Sequence, residues 1–120
     1  MRKLMFFAIA TSVLLIASAA FAADDDTSLA KMNGKELFKT QCKPCHAADS
    51  EFEEYTPMTL IADQWDEFFD EYYLEAHEEV PSLEDESKSV TEFLDDEVLK
   101  KLHKFCVDHA ADSEQPMTCG

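Results

Sequence analysis

The sequence predicts an all-α protein. Only two glycines occur in 120 residues, whereas sheet-rich folds need glycine at their many turns. No β-branched run follows the N-terminal segment, and apolar residues recur at helical spacing in three stretches of the chain. A chain of this length is expected to form one domain. A hydrophobic content of 46% with 11% aromatics excludes a disordered chain. A net charge of −16 argues against a nucleic-acid partner, which calls for a basic surface.

The elements follow in order. Arg2 and Lys3 open a basic region, Leu4 to Ala17 is apolar, and Ala20-Phe21-Ala22 is a small-residue cleavage pattern. Residues 1–22 therefore read as a signal peptide cut after Ala22, with residues 23–120 as the exported domain. The apolar run is short for a membrane span and Asp24-Asp25-Asp26 follows it, so no span is expected after cleavage. A periplasmic or extracellular location follows.

Asn33 with Glu36 has the logic of a capping box, opening a helix whose Leu37, Phe38, Gln41 and Cys42 share a face. Residues 47–56 are polar and irregular. Thr59 is positioned to cap a long helix to about Val80, with a stripe of Ile61, Trp65, Phe68, Phe69, Tyr72 and Tyr73, and Pro81 ends it. Residues 81–91 form an acidic linker. A last helix runs from Thr91 or Asp95 to Ala110, with Val98, Leu99, Leu102, Phe105 and Cys106 on one face, followed by a tail of residues 111–120.

The chemistry lies in Cys42-Lys43-Pro44-Cys45-His46. Cysteines three apart can present both sulfurs on one side of a helical turn, where each can form a thioether to a haem vinyl group. The histidine that follows can reach the iron. This spacing reads as a c-type haem attachment site, with His46 the proximal ligand. Two other readings compete. A thioredoxin-like Cys42/Cys45 redox pair needs a preceding strand, but Met32 to Gln41 reads as helix. A zinc site needs a second ligand pair of matching spacing, which Cys106 and Cys119 do not make.

With Gly34-Lys35-Glu36-Leu37-Phe38 ahead of that motif, the chain resembles the class I c-type cytochrome family over roughly residues 27–110. The resemblance implies a small helical shell around one covalently attached haem c. It also implies a glycine-bearing first helix crossed closely by the last, where Leu102 and Phe105 look like the family's Leu-x-x-aromatic pattern. Pro57, eleven residues after His46, resembles the loop proline whose carbonyl holds the proximal histidine, and Leu60 resembles the aliphatic residue beneath the haem. Only the haem motif itself is specific.

The family's distal methionine has no counterpart here, since no methionine lies between Thr59 and Lys100. His77 is the expected sixth ligand. Met58 is its main rival and Met117 the next, while a five-coordinate iron is a further possibility. His103 and His109, on the last helix, read as surface residues. Two histidine ligands and many carboxylates both point to a low reduction potential.

The function expected is one-electron transfer between redox partner proteins, with no enzymatic group standing out. A haem-based sensor or peroxidase-like protein with a labile sixth site is the alternative of another class, and a thiol-disulfide oxidoreductase using Cys42 and Cys45 a lesser one. The spare Cys106 and Cys119 are expected to pair in an exported protein. Between Ala47 and Val98 there are 19 acids and one lysine, Lys88, whereas Lys31, Lys35, Lys39 and Lys43 line the first helix and Lys100, Lys101 and Lys104 the last. That asymmetry is expected to orient the protein towards a partner, or simply to keep it soluble.

Overall fold

The structure, a computed structural model, describes residues 29–118. The predicted signal peptide with its cleavage point after Ala22, and Cys119 of the expected disulfide, lie outside that range. The described residues are helical, with turns, loops and a single bridge between Pro81 and Ser89.

Helix α1 is a continuous run of Gly34–Leu37, a π-helical turn Phe38–Cys42, and Lys43–His46. Its start is the capping box read from sequence: Asn33 Oδ1 accepts from Glu36 N and Glu36 Oε2 accepts from Asn33 N, both at 3.0 Å. The π turn precedes Pro44. Proline has no N–H to donate and crowds the carbonyl four residues back, so a widened turn at that place lets the helix continue to His46.

The Pro57–Thr59 turn leads into α2, composed of Ala62–Glu67, a second π turn Phe68–Tyr72, and Tyr73–His77. The expected limits, Thr59 and Val80, are both corrected. Thr59 Oγ1 accepts from Thr56 N at 2.8 Å and so closes the preceding turn instead of capping the helix. The cap position belongs to Ile61, whose N–H donates to Gln64 Oε1 at 3.2 Å. Asp112, beyond the last helix, accepts from Ala62 N at 2.8 Å, and Leu60 O accepts from Ala111 N at 3.1 Å. The start of α2 is thus fixed by chain fifty residues away. The stripe is corrected as well: Trp65 and Tyr73 are buried, but Ile61 and Tyr72 are 41% and 49% exposed. The π turn inserts one residue into the helical register, which turns Tyr72 outward and Tyr73 inward.

Residues 81–91 are a closed loop rather than a free linker. Val90 N donates to Val80 O at 2.7 Å and Ser82 N to Lys88 O at 2.9 Å, which joins the loop's two ends. Gln41, buried on α1, donates to Glu84 Oε1 at 2.8 Å and ties the loop down. Of the two expected starts of the last helix, Asp95 is the one used: it caps α4, Asp96–Asp108. Thr91 lies inside a separate short helix α3, Val90–Phe93, capped by Ser89 and divided from α4 by an extended Leu94.

The core forms where α1 and the first part of α2 pack on α4, and it is built from Leu37, Phe38, Trp65, Leu94, Val98, Leu102, Phe105 and Cys106. The first and last helices cross at Gly34. A Cβ placed there would lie 2.5 Å from Phe105 Cβ and 2.8 Å from Lys101 O, so a hydrogen is all that fits. One turn on, the Phe38 and Phe105 rings pack with centroids 5.8 Å apart.

Candidate haem ligand pair

His46 ends α1 and His77 ends α2. The fold brings their rings together with centroids 6.4 Å apart and planes inclined by 73°. The loop after α1 folds back over His46: Nδ1 donates to Glu53 O at 2.8 Å, and Tyr55 N donates to His46 O at 3.0 Å. His77 Nδ1 donates to Tyr73 O, one helical turn earlier, at 2.9 Å. A carbonyl oxygen can only accept, so each Nδ1 carries the hydrogen. In the neutral ring Nε2 then carries the lone pair, the tautomer a metal-bound histidine needs. Burial holds the His77 ring below its usual 6.5; the Tyr73 carbonyl opposes this, and the charge of His46 adds to it. The shift favours the neutral ring, the form in which a histidine can ligate a metal.

Aromatic rings surround the pair. Tyr55 lies edge-on to His46 at 5.0 Å, and Phe52 is tilted against it at 6.1 Å. On α2, Tyr73 stacks on His77 at 4.8 Å and Phe68 meets it edge-on at 6.2 Å. The stack continues from Tyr73 to Phe69 at 5.9 Å and from Phe69 to His103 at 4.9 Å. The His103 ring is packed on one side while remaining 28% exposed, and its Nε2 pairs with Asp66 Oδ1 at 2.5 Å. The four-residue spacing of Phe69, Tyr73 and His77 was the sequence signal for this column.

Cys42 and Cys45 are half-buried on the same helical end as His46, with no bond between them. Burial and the neighbouring Cys45 push the Cys42 thiol up to about 12. Burial and the charge of Cys42 also push the Tyr73 phenol up to about 12. The Tyr73 hydroxyl is buried with no hydrogen-bond partner.

One expectation about the proximal side is corrected. The acceptor for His46 is Glu53 O, not Pro57 O, and the Pro57 carbonyl accepts instead from Trp65 Nε1 at 2.7 Å. Leu60 is half-buried against the main core. Met58, the rival distal ligand, sits 41% exposed on the Pro57–Thr59 turn. Met117 packs against the core as the tail returns, its N–H donating to His109 O at 3.2 Å.

The residues present fit a haem of the c type. Two imidazoles on one iron, with bonds of about 2 Å and roughly 1.1 Å from ring nitrogen to centroid, have centroids about 6 Å apart, close to the separation here. Both thiols of the attachment motif belong to the α1 segment that carries His46. Among the described residues no group of three or more histidine, cysteine or carboxylate side chains is arranged to hold a bare metal ion. Two surface concavities of about 460 and 370 Å³ lie along α4 and at its end, and neither is lined by His46 or His77. No described helix is long and apolar enough to cross a membrane. Comparison with protein-family models, with curated proteins and with solved structures finds no match to this chain.

Proposed function

We propose that this chain is an exported monohaem c-type cytochrome that carries single electrons between redox partner proteins. The observation that carries this reading is the His46–His77 pair, with rings 6.4 Å apart and each Nδ1 fixed on a backbone carbonyl. Cys42 and Cys45 would hold the haem through thioethers, and His46 and His77 would ligate its iron. Bound there, haem supplies a one-electron Fe(III)/Fe(II) couple. The protein's own contribution is rigidity. The Glu53 and Tyr73 carbonyls keep both imidazoles oriented in either oxidation state, so little has to rearrange when an electron moves. The carboxylates of residues 51–54 and 75–79 favour the more positive ferric state, and with two histidine ligands they set a low potential.

The sensor or peroxidase-like alternative needs a sixth ligand that leaves easily. His77 is held by a hydrogen bond, a ring stack and an edge contact, which argues for a fixed ligand. The thiol-oxidoreductase alternative needs an attacking thiol with a depressed pKa, and Cys42 is shifted the opposite way. Production in a host that attaches haem outside the cytoplasm, followed by magnetic circular dichroism of the oxidised protein, tests the proposal. The near-infrared band of two imidazoles is expected. A methionine–iron charge-transfer band moves the sixth ligand to Met58 or Met117, and a haem-free product after competent maturation refutes the carrier reading.

A further inference from the structure

Tyr73 is buried at 7% exposure, and its hydroxyl is the one buried side-chain polar atom among the described residues without a hydrogen-bond partner. Every other part of the residue is committed. Its carbonyl accepts from His77 Nδ1, and its ring lies between His77 and Phe69, inclined to them by 27° and 26°. An unpaired buried hydroxyl is destabilising, and phenylalanine fills the same shape without that cost. Positions 68 and 69 of the same helix already use phenylalanine, so packing alone does not account for the phenol.

We propose that Tyr73 Oη is a binding contact for the prosthetic group held by Cys42, Cys45, His46 and His77, donating its hydrogen to an acceptor atom that arrives with that group. The inference rests on the carrier reading above. A haem c brings two kinds of acceptor to its edge, carboxylate oxygens and thioether sulfurs, and a phenol donates to either, more strongly to the carboxylate. In either case the positive end of the O–H dipole points at the group. That orientation disfavours the extra positive charge of the ferric state, so Tyr73 acts to favour the ferrous state within a site whose carboxylates push the other way.

The test compares holoprotein carrying covalent haem with its Tyr73→Phe variant. Ultraviolet resonance Raman difference spectra of the two are expected to show a hydrogen-donating phenol. The visible haem Raman spectrum is expected to change in the carboxylate bending modes for an oxygen acceptor, or in the C–S stretch for a thioether. Against a fixed reference dye, the ferrous/ferric ratio of the variant is expected to fall by about 2- to 10-fold. Tyr73→Leu, which also removes the ring from His77, serves as the second variant; its axial-ligand spectrum is expected to change, whereas that of Tyr73→Phe stays as in the wild type. A non-donating phenol together with an unchanged ferrous/ferric ratio overturns the contact while leaving the carrier reading standing. Absence of covalent haem from the wild type overturns the carrier reading, and the contact with it.

Discussion

The imidazole planes of His46 and His77 are inclined by 73°, and each is pinned by a different backbone carbonyl, Glu53 O and Tyr73 O. Near-perpendicular axial imidazoles give a ferric iron a highly anisotropic low-spin signal. Electron paramagnetic resonance of the oxidised holoprotein is expected to show one dominant low-field feature. A three-line rhombic spectrum would mean that the planes turn parallel when the iron binds.

Removal of the distal ring should open the sixth position. His77→Ala is expected to convert the ferric spectrum to high spin and to let the ferrous protein bind carbon monoxide without displacing a ligand. His77→Met is expected to restore low spin and raise the potential. An unchanged low-spin wild-type spectrum in His77→Ala would transfer the role to another residue.

The crossing at Gly34 leaves no room for a methyl group, since Phe105 Cβ and the Lys101 carbonyl both stand within 3 Å of it. Lys101 is also fixed there, its Nζ donating to Met32 O at 3.2 Å and to Ala30 O. Gly34→Ala is therefore expected to push the two helices apart and to cost about 1–3 kcal/mol. In a domain of this size that lowers Tm by roughly 4–8 °C per kcal/mol. Asp95→Ala, which removes the 2.9 Å cap bond to Val98 N, is expected to cost about 1 kcal/mol. Urea unfolding of both variants checks these values, with an unchanged m-value as the sign that only stability moved.

Stability should also respond to mild acid through His77. Burial lowers its folded pKa below 6.5, so the unfolded chain takes up a proton at a pH where the folded chain does not. The stabilising contribution is complete above 6.5 and is lost as the pH falls from there through the folded value. In the proposed holoprotein, iron bound at Nε2 would act in the same direction. The urea midpoint of the wild type is expected to fall over this window, and His77→Met is expected to lack that part of the fall.

Most described lysines are already engaged. Lys43 pairs with Glu54 at 3.8 Å, Lys104 with Asp108 at 2.6 Å, Lys100 with Glu97 at 3.1 Å, and Lys101 with backbone carbonyls. Among the described residues, the carboxylates near His77 on α2 have no such lysine partners. The reduced protein is expected to react faster with a cationic cobalt complex than with an anionic ferricyanide at low ionic strength. The ratio should collapse as salt screens the interaction beyond about 10 Å. A ratio independent of salt would mean that the charge near the histidines does not guide encounter.

Local signals in the sequence were sufficient for several features. The Asn33–Glu36 box, the Asp95 cap, the apolar face of α4 and the cysteine–histidine motif each depend on residues within one or two turns of each other, so spacing alone reveals them. The close crossing at Gly34 was expected only from the family resemblance. Where contacts come from far along the chain, local spacing misled. Thr59 has every local mark of a helix cap, yet Asp112 and Ala111 place the start of α2 at Ala62. Tyr72 follows the helical stripe, yet the π turn that carries it sends it outward.

The sequence by itself determined the helical class of the described residues, the cysteine pair with its adjacent histidine, and His77 as the one histidine in the middle segment. Tertiary structure alone decided that the Glu53 carbonyl, rather than that of Pro57, holds His46, and that His77 faces His46 across 6.4 Å. It also decided that His103 stacks on Phe69, and that Tyr73 buries an unpaired hydroxyl. The physical reason is the same in each case. A carbonyl's partner and a ring's neighbour are set by how loops close and how helices pack, and residues distant in sequence write no periodicity that would announce their meeting.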